Sequence, residues 1–172
     1  MIDRYLDRVA RVLLMIAAAL GFLLSFLVCA DVIGRLIFNS PVKGTPEMVS
    51  MAIVIIAYLQ AAYAIRSGGM IGVDALTGCL PGRAQSYLAA GGAILGAGLF
   101  GLVLWGSLDG AAHAWLSGEY EGEGALRVPV WPARFVIVLG CALASLSYVL
   151  LALRCVAAGM RGEPPAGPIA SH

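Results

Sequence analysis

Charge is scarce in this sequence. Only 12% of its 172 residues are Asp, Glu, Lys or Arg, whereas 60% are hydrophobic. Soluble domains carry about 25% charged residues, so the composition excludes an ordinary water-soluble domain and indicates a membrane protein. The formal net charge of +1 excludes a strongly basic nucleic-acid-binding protein, and no nucleic-acid partner is expected.

Residues that bind cofactors and metals are also few. The only histidines are His113 and the terminal His172, and the four cysteines show no CxxC spacing. Paired axial ligation of haem within the membrane is therefore not expected. We interpret the cysteines as small buried or interfacial residues rather than a disulfide frame or a metal site. The sequence predicts no cofactor.

Motifs for catalysis are missing as well. The sequence contains no nucleophile–base arrangement and no phosphate-binding glycine loop. A membrane enzyme needs several polar residues that converge within the bundle. An ion-coupled transporter that acts alone needs charged or discontinuous helices near the midplane. The apolar runs offer neither, so we expect no enzyme activity and no unaided solute transport.

Long apolar runs dominate what is present. They predict four transmembrane helices, at residues 12–30, 48–65, 87–108 and 135–153. The first run is nineteen residues without a charge, about 28 Å as helix, which is enough to span a bilayer. A signal peptide is the rival interpretation, but its apolar region is usually about 7–15 residues, so we expect an uncleaved span.

The predicted fold is an all-α membrane protein with short interfacial helical segments, one of them at residues 73–76. Residues 1–158 form its membrane domain, and residues 159–172 form a disordered cytoplasmic tail. Seven Lys and Arg residues lie on the side of the two termini and four on the opposite side. The excess of positive charge places both termini in the cytoplasm.

The segment between the first two spans is the most polar candidate site. Asp31 and Arg35 are four residues apart, so they share one face of a continuing helix and can pair. Thr45, Pro46 and Glu47 predict the start of the second helix, with Thr45 as the N-cap. Two interpretations stay open for these charges: interfacial anchoring with capping, or a docking surface for a partner.

Three further features inside the apolar runs are candidates. Gly92 and Gly96 are four residues apart, a small-xxx-small pattern that permits close helix packing. Gln60 is expected to bond to a neighbouring helix or to interfacial water, with substrate binding as the alternative. Asp109 and His113 are interpreted as an interfacial pair, with a proton-handling pair as the alternative.

Short motifs in order along the chain resemble one family, the small membrane subunit (DctQ type) of tripartite ATP-independent periplasmic (TRAP) transporters. The resemblance covers roughly residues 8–158, and one departure is the absence of a histidine shortly before Val73-Asp74. The motifs are Asp31-Val-Ile-Gly-Arg35, Phe38-Asn39-Ser40-Pro41, Gly44-Thr45-Pro46-Glu47, Arg66 with Val73-Asp74, Trp105, and Leu126-Arg127-Val128-Pro129-Val130-Trp131.

The resemblance implies a three-part system in the bacterial inner membrane that takes up an organic acid by ion-driven symport. A soluble periplasmic protein captures the substrate, and a large many-span permease subunit carries the substrate and ion sites. The small subunit packs beside the large one as a scaffold, among membrane lipids, and supports docking of the binding protein.

The resemblance also suggests roles for individual residues. Asp31, Arg35 and Glu47 would form an ion-pair cluster at the outer boundary that fixes the first two spans or contacts the large subunit. Gly92 and Gly96 would form a close helix contact. The outer surface met by the binding protein would be shaped by Arg127, Pro129 and Trp131.

Two other classes remain as alternatives. A self-sufficient homodimeric four-span transporter of small cations requires a carboxylate well inside a span, and Glu47 lies at a helix start beside Pro46. A membrane enzyme or redox subunit is opposed by the histidine count and by the apolar span interiors.

Overall fold

A computed structural model describes residues 2–39, 44–67, 81–121 and 128–162. In these ranges the chain forms four helices, each long and apolar enough to cross a membrane, and one antiparallel pair of two-residue strands. The all-α fold with four spanning helices is therefore confirmed. The elements are α1 (Ile2–Phe38), α2 (Thr45–Arg66), α3 (Gly82–Ser117), β1 (Tyr120–Glu121), β2 (Val128–Pro129) and α4 (Trp131–Arg161).

The helices are longer than the apolar runs that predicted them. α1 has 37 residues and α3 has 36, so each is about 54–56 Å long, whereas the hydrocarbon core of a bilayer is about 30 Å thick. Both helices therefore extend beyond the membrane. The predicted interfacial turn at 73–76 and most of the predicted tail lie outside the described residues.

Left-handed backbone conformations mark the helix boundaries. α1 stops before Asn39, which has φ 47°. The N-cap of α2 is Gly44, with φ 82° and no side-chain cap, so the prediction of Thr45 as the N-cap is wrong. Gly44 can adopt this conformation because it has no Cβ, and Thr45 is instead buried inside the first turn. Gly118 and Gly162, both at positive φ, end α3 and α4.

The four helices pack as one open layer in the order α1, α2, α4, α3. α1 packs on α2, α2 packs on α4, and α4 makes its most extensive contact with α3. No comparably extensive contact joins α1 to α3 among the described residues, so the layer does not close into a bundle. Its edges therefore expose large apolar side chains, such as Leu36 on α1 and Leu95 and Leu102 on α3.

Small residues fill the contacts between the helices. The buried apolar residues are mostly alanines and cysteines. At the crossing of α2 and α4, a Cβ on Gly140 would lie 2.6 Å from the carbonyl oxygen of Tyr58. Because that neighbour is backbone, a side chain at Gly140 would require the two helices to move apart. The centre of the layer thus depends on a glycine in α4.

Candidate partner-binding surfaces

The side of the layer that carries the two termini contains a buried ion pair. Arg66, at the end of α2, donates hydrogen bonds from Nε and Nη2 to Oδ1 of Asp7 in α1, at 2.7 and 2.6 Å. The side chain of Arg66 is 1% exposed and that of Asp7 is 20% exposed. The sequence indicated only that Arg66 ends a span, so this connection between the first two helices was not predicted.

On the opposite side, Asp31 and Arg35 pair as their spacing predicted. The Arg35 Nη2 atom lies 2.8 Å from Oδ2 of Asp31, whose side chain is 8% exposed while that of Arg35 is 56% exposed. The described residues show no hydrogen bond or ion pair between Glu47 and either partner. One carboxylate oxygen of Glu47 is buried and has no hydrogen bond to any residue that the structure describes. The pair between Asp31 and Arg35 is thus present in the structure. A joint function for Asp31, Arg35 and Glu47 stays a prediction.

A second polar cluster fixes the segment that follows α3. Arg134, in the first turn of α4, donates from Nη2 to Oε2 of Glu119 at 2.9 Å and from Nη1 to the carbonyl oxygen of Gly110 at 3.0 Å. A Cβ on Gly110 would lie 2.7 Å from Arg134 Nη1, so the glycine leaves room for the guanidinium. This cluster holds the C-terminal end of α3 against the beginning of α4.

His113 belongs to the same cluster. Its Nε2 atom lies 3.7 Å from Oε1 of Glu119, and the described residues show no ion pair between His113 and Asp109. The predicted pairing of Asp109 with His113 is therefore replaced by one with Glu119. Asp109 and His113 do lie four residues apart in α3. Glu119 follows the end of that helix, and its ion pair with Arg134 holds its carboxylate near His113.

Two of the three predicted docking residues for the binding protein lie beside this cluster. Pro129 is in β2 and pairs with Tyr120 in β1, which positions it directly before α4. Trp131 packs edge-to-face on Trp115, with ring centroids 5.3 Å apart. Arg127 lies outside the described residues. The structure brings Pro129 and Trp131 to one end of the layer, and their contact with a binding protein stays a prediction.

The two candidate glycines of α3 have different surroundings. A Cβ on Gly96 would lie 2.9 Å from the ring of Tyr148 in α4, so Gly96 makes room for an aromatic side chain within the chain. Gly92 has no atom within 4 Å of its Cβ position and faces outward. A shared role for both glycines in binding a partner helix stays a prediction.

Hydroxyl groups within α3 and α4 bond to backbone carbonyl oxygens. Ser107 donates to Val103 and Ser147 donates to Leu143, both at 2.7 Å within their own helices. Ser145 donates across the layer to Ala97 at 3.3 Å. These hydroxyls are engaged in helix structure and packing, while the charged clusters lie near the helix ends.

This architecture defines a multi-pass α-helical membrane protein with ion-paired clusters near the ends of its spans. Residues 24–158 match the family model described as the DctQ component of the tripartite ATP-independent periplasmic transporters. The match covers most of the chain, so the chain belongs to this family and is the small membrane subunit of a TRAP transporter. Comparison with curated proteins and with solved structures gives no match.

Proposed function

We propose that the chain is a scaffold subunit that packs against the large permease subunit in a bacterial inner membrane. The proposal is supported by the match to the DctQ family together with the open layer, in which each helix keeps a face that no other described helix covers. Between α3 and α4, the described residues form an open groove of about 440 Å³ that is lined almost wholly by apolar side chains. Secondary transporters hold their substrates at sites near the midplane, between repeats, so we assign substrate binding to the large subunit.

Glu47 supports a contact with another protein at the outer boundary. Its side chain is partly exposed, although one carboxylate oxygen is buried without a hydrogen bond to any described residue. Glu47 lies in the first turn of α2, close to Pro46, rather than in the middle of the span. This position suits a partner contact better than the cation site that a self-sufficient transporter would need.

The opposite side of the layer from the termini is proposed to face the periplasm, following the distribution of Lys and Arg. There, Pro129, Trp131 and the Glu119–Arg134 pair form a surface next to β1 and β2. We assign docking of the soluble binding protein to this surface, together with Arg127. The complete system would take up an organic acid driven by an ion gradient, and the other two subunits would determine the substrate.

The assignment predicts a growth defect when the chain is removed. Source cells that lack the chain should lose growth on at least one organic acid supplied as the sole carbon source, because the large subunit then lacks its scaffold. Expression of the intact chain from a plasmid should restore growth. Unchanged growth on every acid that the parent cells use, in a strain that makes the large subunit, would contradict the proposed function.

The Asp31→Ala variant tests the outer cluster in the same strain. Arg35 is 56% exposed, so its guanidinium can be hydrated after the pair is lost and does not become a buried, unpaired charge. The amount of folded chain should therefore stay nearly unchanged, while uptake falls at least about two-fold if Asp31 positions the contact with the large subunit. Asp109→Ala, at an exposed acid of α3, is the matched control. Normal assembly and uptake with Asp31→Ala would remove the role of this pair.

A further inference from the structure

The open side of α2 differs in composition from the exposed side of α4, its neighbour in the layer. Its exposed residues follow a spacing of four and three, so they lie along one side of the helix. The opposite side of α2, including Leu59, Ala62 and Ile65, is buried in the layer. The exposed stripe consists of Pro46, Ser50, Ile53, Ala57 and Gln60.

The exposed side of α4 provides the contrast. Apart from Ala142 and the terminal Arg161, it carries large apolar residues, which suit contact with lipid tails. The stripe on α2 has one large aliphatic residue, Ile53, between small and polar ones. Close helix contacts within membranes are enriched in small residues, with polar side chains that hydrogen-bond across the contact. The exposed α4 residues are Trp131, Phe135, Leu139, Ala142, Leu146, Val149, Leu153, Met160 and, at the end of the helix, Arg161.

Gln60 shows what kind of molecule covers this stripe. It precedes Arg66 by six residues, about 9 Å along the helix axis, so it lies inside the span. Side chains of a helix lean toward its N-terminus, which directs the Gln60 amide toward the middle of the span and away from the nearer boundary. No residue in the described part of the chain forms a hydrogen bond with this amide. An amide left without a partner in hydrocarbon is costly.

Lipid tails offer no hydrogen-bonding group at this depth, and a soluble binding protein does not enter the membrane interior. The occupant must therefore be a membrane protein. Near the Ser50 end of the stripe, a groove of about 250 Å³ lies between α2 and α4 and is lined by Ser50, Val54, Arg134 and Ile137. The groove offers room for a larger side chain of an approaching helix.

We propose that the open side of α2, from Pro46 to Gln60, binds a transmembrane helix of the large permease subunit, and that Gln60 hydrogen-bonds to it. This inference rests on the proposed scaffold function and adds which helix faces the large subunit. The partner helix presents small residues opposite Ala57 and a polar side chain or a free backbone carbonyl opposite Gln60. α4 turns its large apolar side chains toward lipid.

Photo-crosslinking tests this assignment in native membranes. A benzophenone amino acid replaces Ala57 in one variant and Ala142, an exposed alanine of α4, in the matched control. After illumination, the Ala57 variant should form an adduct whose peptides, identified by mass spectrometry, belong to the large permease subunit. The Ala142 variant should form at least about ten-fold less of that adduct.

The possible results separate this inference from the proposed function. Adducts to the large subunit from Ala142 but not from Ala57, or from neither position while the large subunit copurifies, would overturn the assignment of α2 and leave the scaffold function intact. An adduct of Ala57 with a second copy of this chain would overturn the choice of partner. Absence of the large subunit from the purified material would contradict the proposed function itself.

The Gln60→Leu variant measures the hydrogen bond. Interhelical hydrogen bonds in membranes contribute about 0.6–2 kcal/mol, so the complex should bind about 3- to 30-fold more weakly. The chain alone should be as stable in detergent as the unmodified chain, because Gln60 makes no internal hydrogen bond among the described residues. A loss of stability in the isolated chain with unchanged complex formation would show that the amide acts within the chain, and would overturn the proposal.

Discussion

Replacing Asp7 with alanine should lower the free energy of unfolding of the chain by about 3 kcal/mol. Removing one partner of a buried ion pair usually costs about 3–5 kcal/mol, because the buried charge that remains loses its counterion. The low end applies here because the side chain of Asp7 is 20% exposed, whereas that of Arg66 is 1% exposed. Unfolding in detergent, followed by tryptophan fluorescence, measures the change.

Two further variants make this prediction specific. Asp109→Ala removes an exposed acid from α3 and should change the unfolding free energy by less than about 0.5 kcal/mol. The double variant Asp7→Leu with Arg66→Met should recover most of the loss, since a buried pair can often be replaced by apolar residues without a net cost. If Asp7→Ala proves as stable as Asp109→Ala, the pair does not hold α1 against α2.

Replacing Gly140 with alanine should separate the two central helices. The new methyl group would lie 2.6 Å from the carbonyl oxygen of Tyr58 and 2.9 Å from its Cβ, so α2 and α4 must shift. Overpacking of this kind typically costs about 1–3 kcal/mol. We expect a loss of this size in the free energy of unfolding, together with weaker binding of the large subunit, because the shift displaces α2, which carries the proposed binding face.

Gly98→Ala is the matched control for that substitution. Gly98 lies in the exposed part of α3, with nothing within 4 Å of its Cβ position. Alanine favours a helix over glycine by about 0.8–1 kcal/mol, so this variant should be as stable as the parent chain or more stable. Equal stability of the Gly140 and Gly98 variants would show that the α2–α4 crossing tolerates a wider spacing.

The local features of the fold were predictable from the sequence. Four apolar runs without charge predict four spans, because each must satisfy its backbone hydrogen bonds internally. The spacing of Asp31 and Arg35 predicts their pairing, because the helix continues without interruption to Phe38. Both inferences use only neighbours within one helix. The predicted N-cap of α2, Thr45, is one residue away from the observed N-cap, Gly44. The helix begins with the left-handed conformation of Gly44 rather than with a side-chain cap.

The contacts between helices could not be predicted in the same way. Asp7 and Arg66 are 59 residues apart, and nothing in the pattern of either helix shows that their ends meet. Glycine spacing pointed to Gly92 and Gly96, whereas the glycine at which a Cβ would meet the backbone of another helix is Gly140. A glycine permits close packing, but the order of the helices in the layer decides which glycine is used.

The open side of α2 illustrates the same limit. Gln60 could be recognised from the sequence as a polar residue within a span, and two kinds of partner were open to it. Only the packing of α1 and α4 shows that Gln60 lies on the uncovered side, next to Ala57. The position of the proposed binding face thus follows from tertiary structure, whereas its small and polar residues could be identified from the sequence.

The intact mass of the complex purified in mild detergent from native membranes tests the scaffold assignment most directly. The account predicts one copy of this 17.8 kDa chain bound to one copy of a much larger many-span permease subunit. A species with twice the mass of this chain and no larger subunit would contradict it, and would make Glu47 the first residue to test as a cation site.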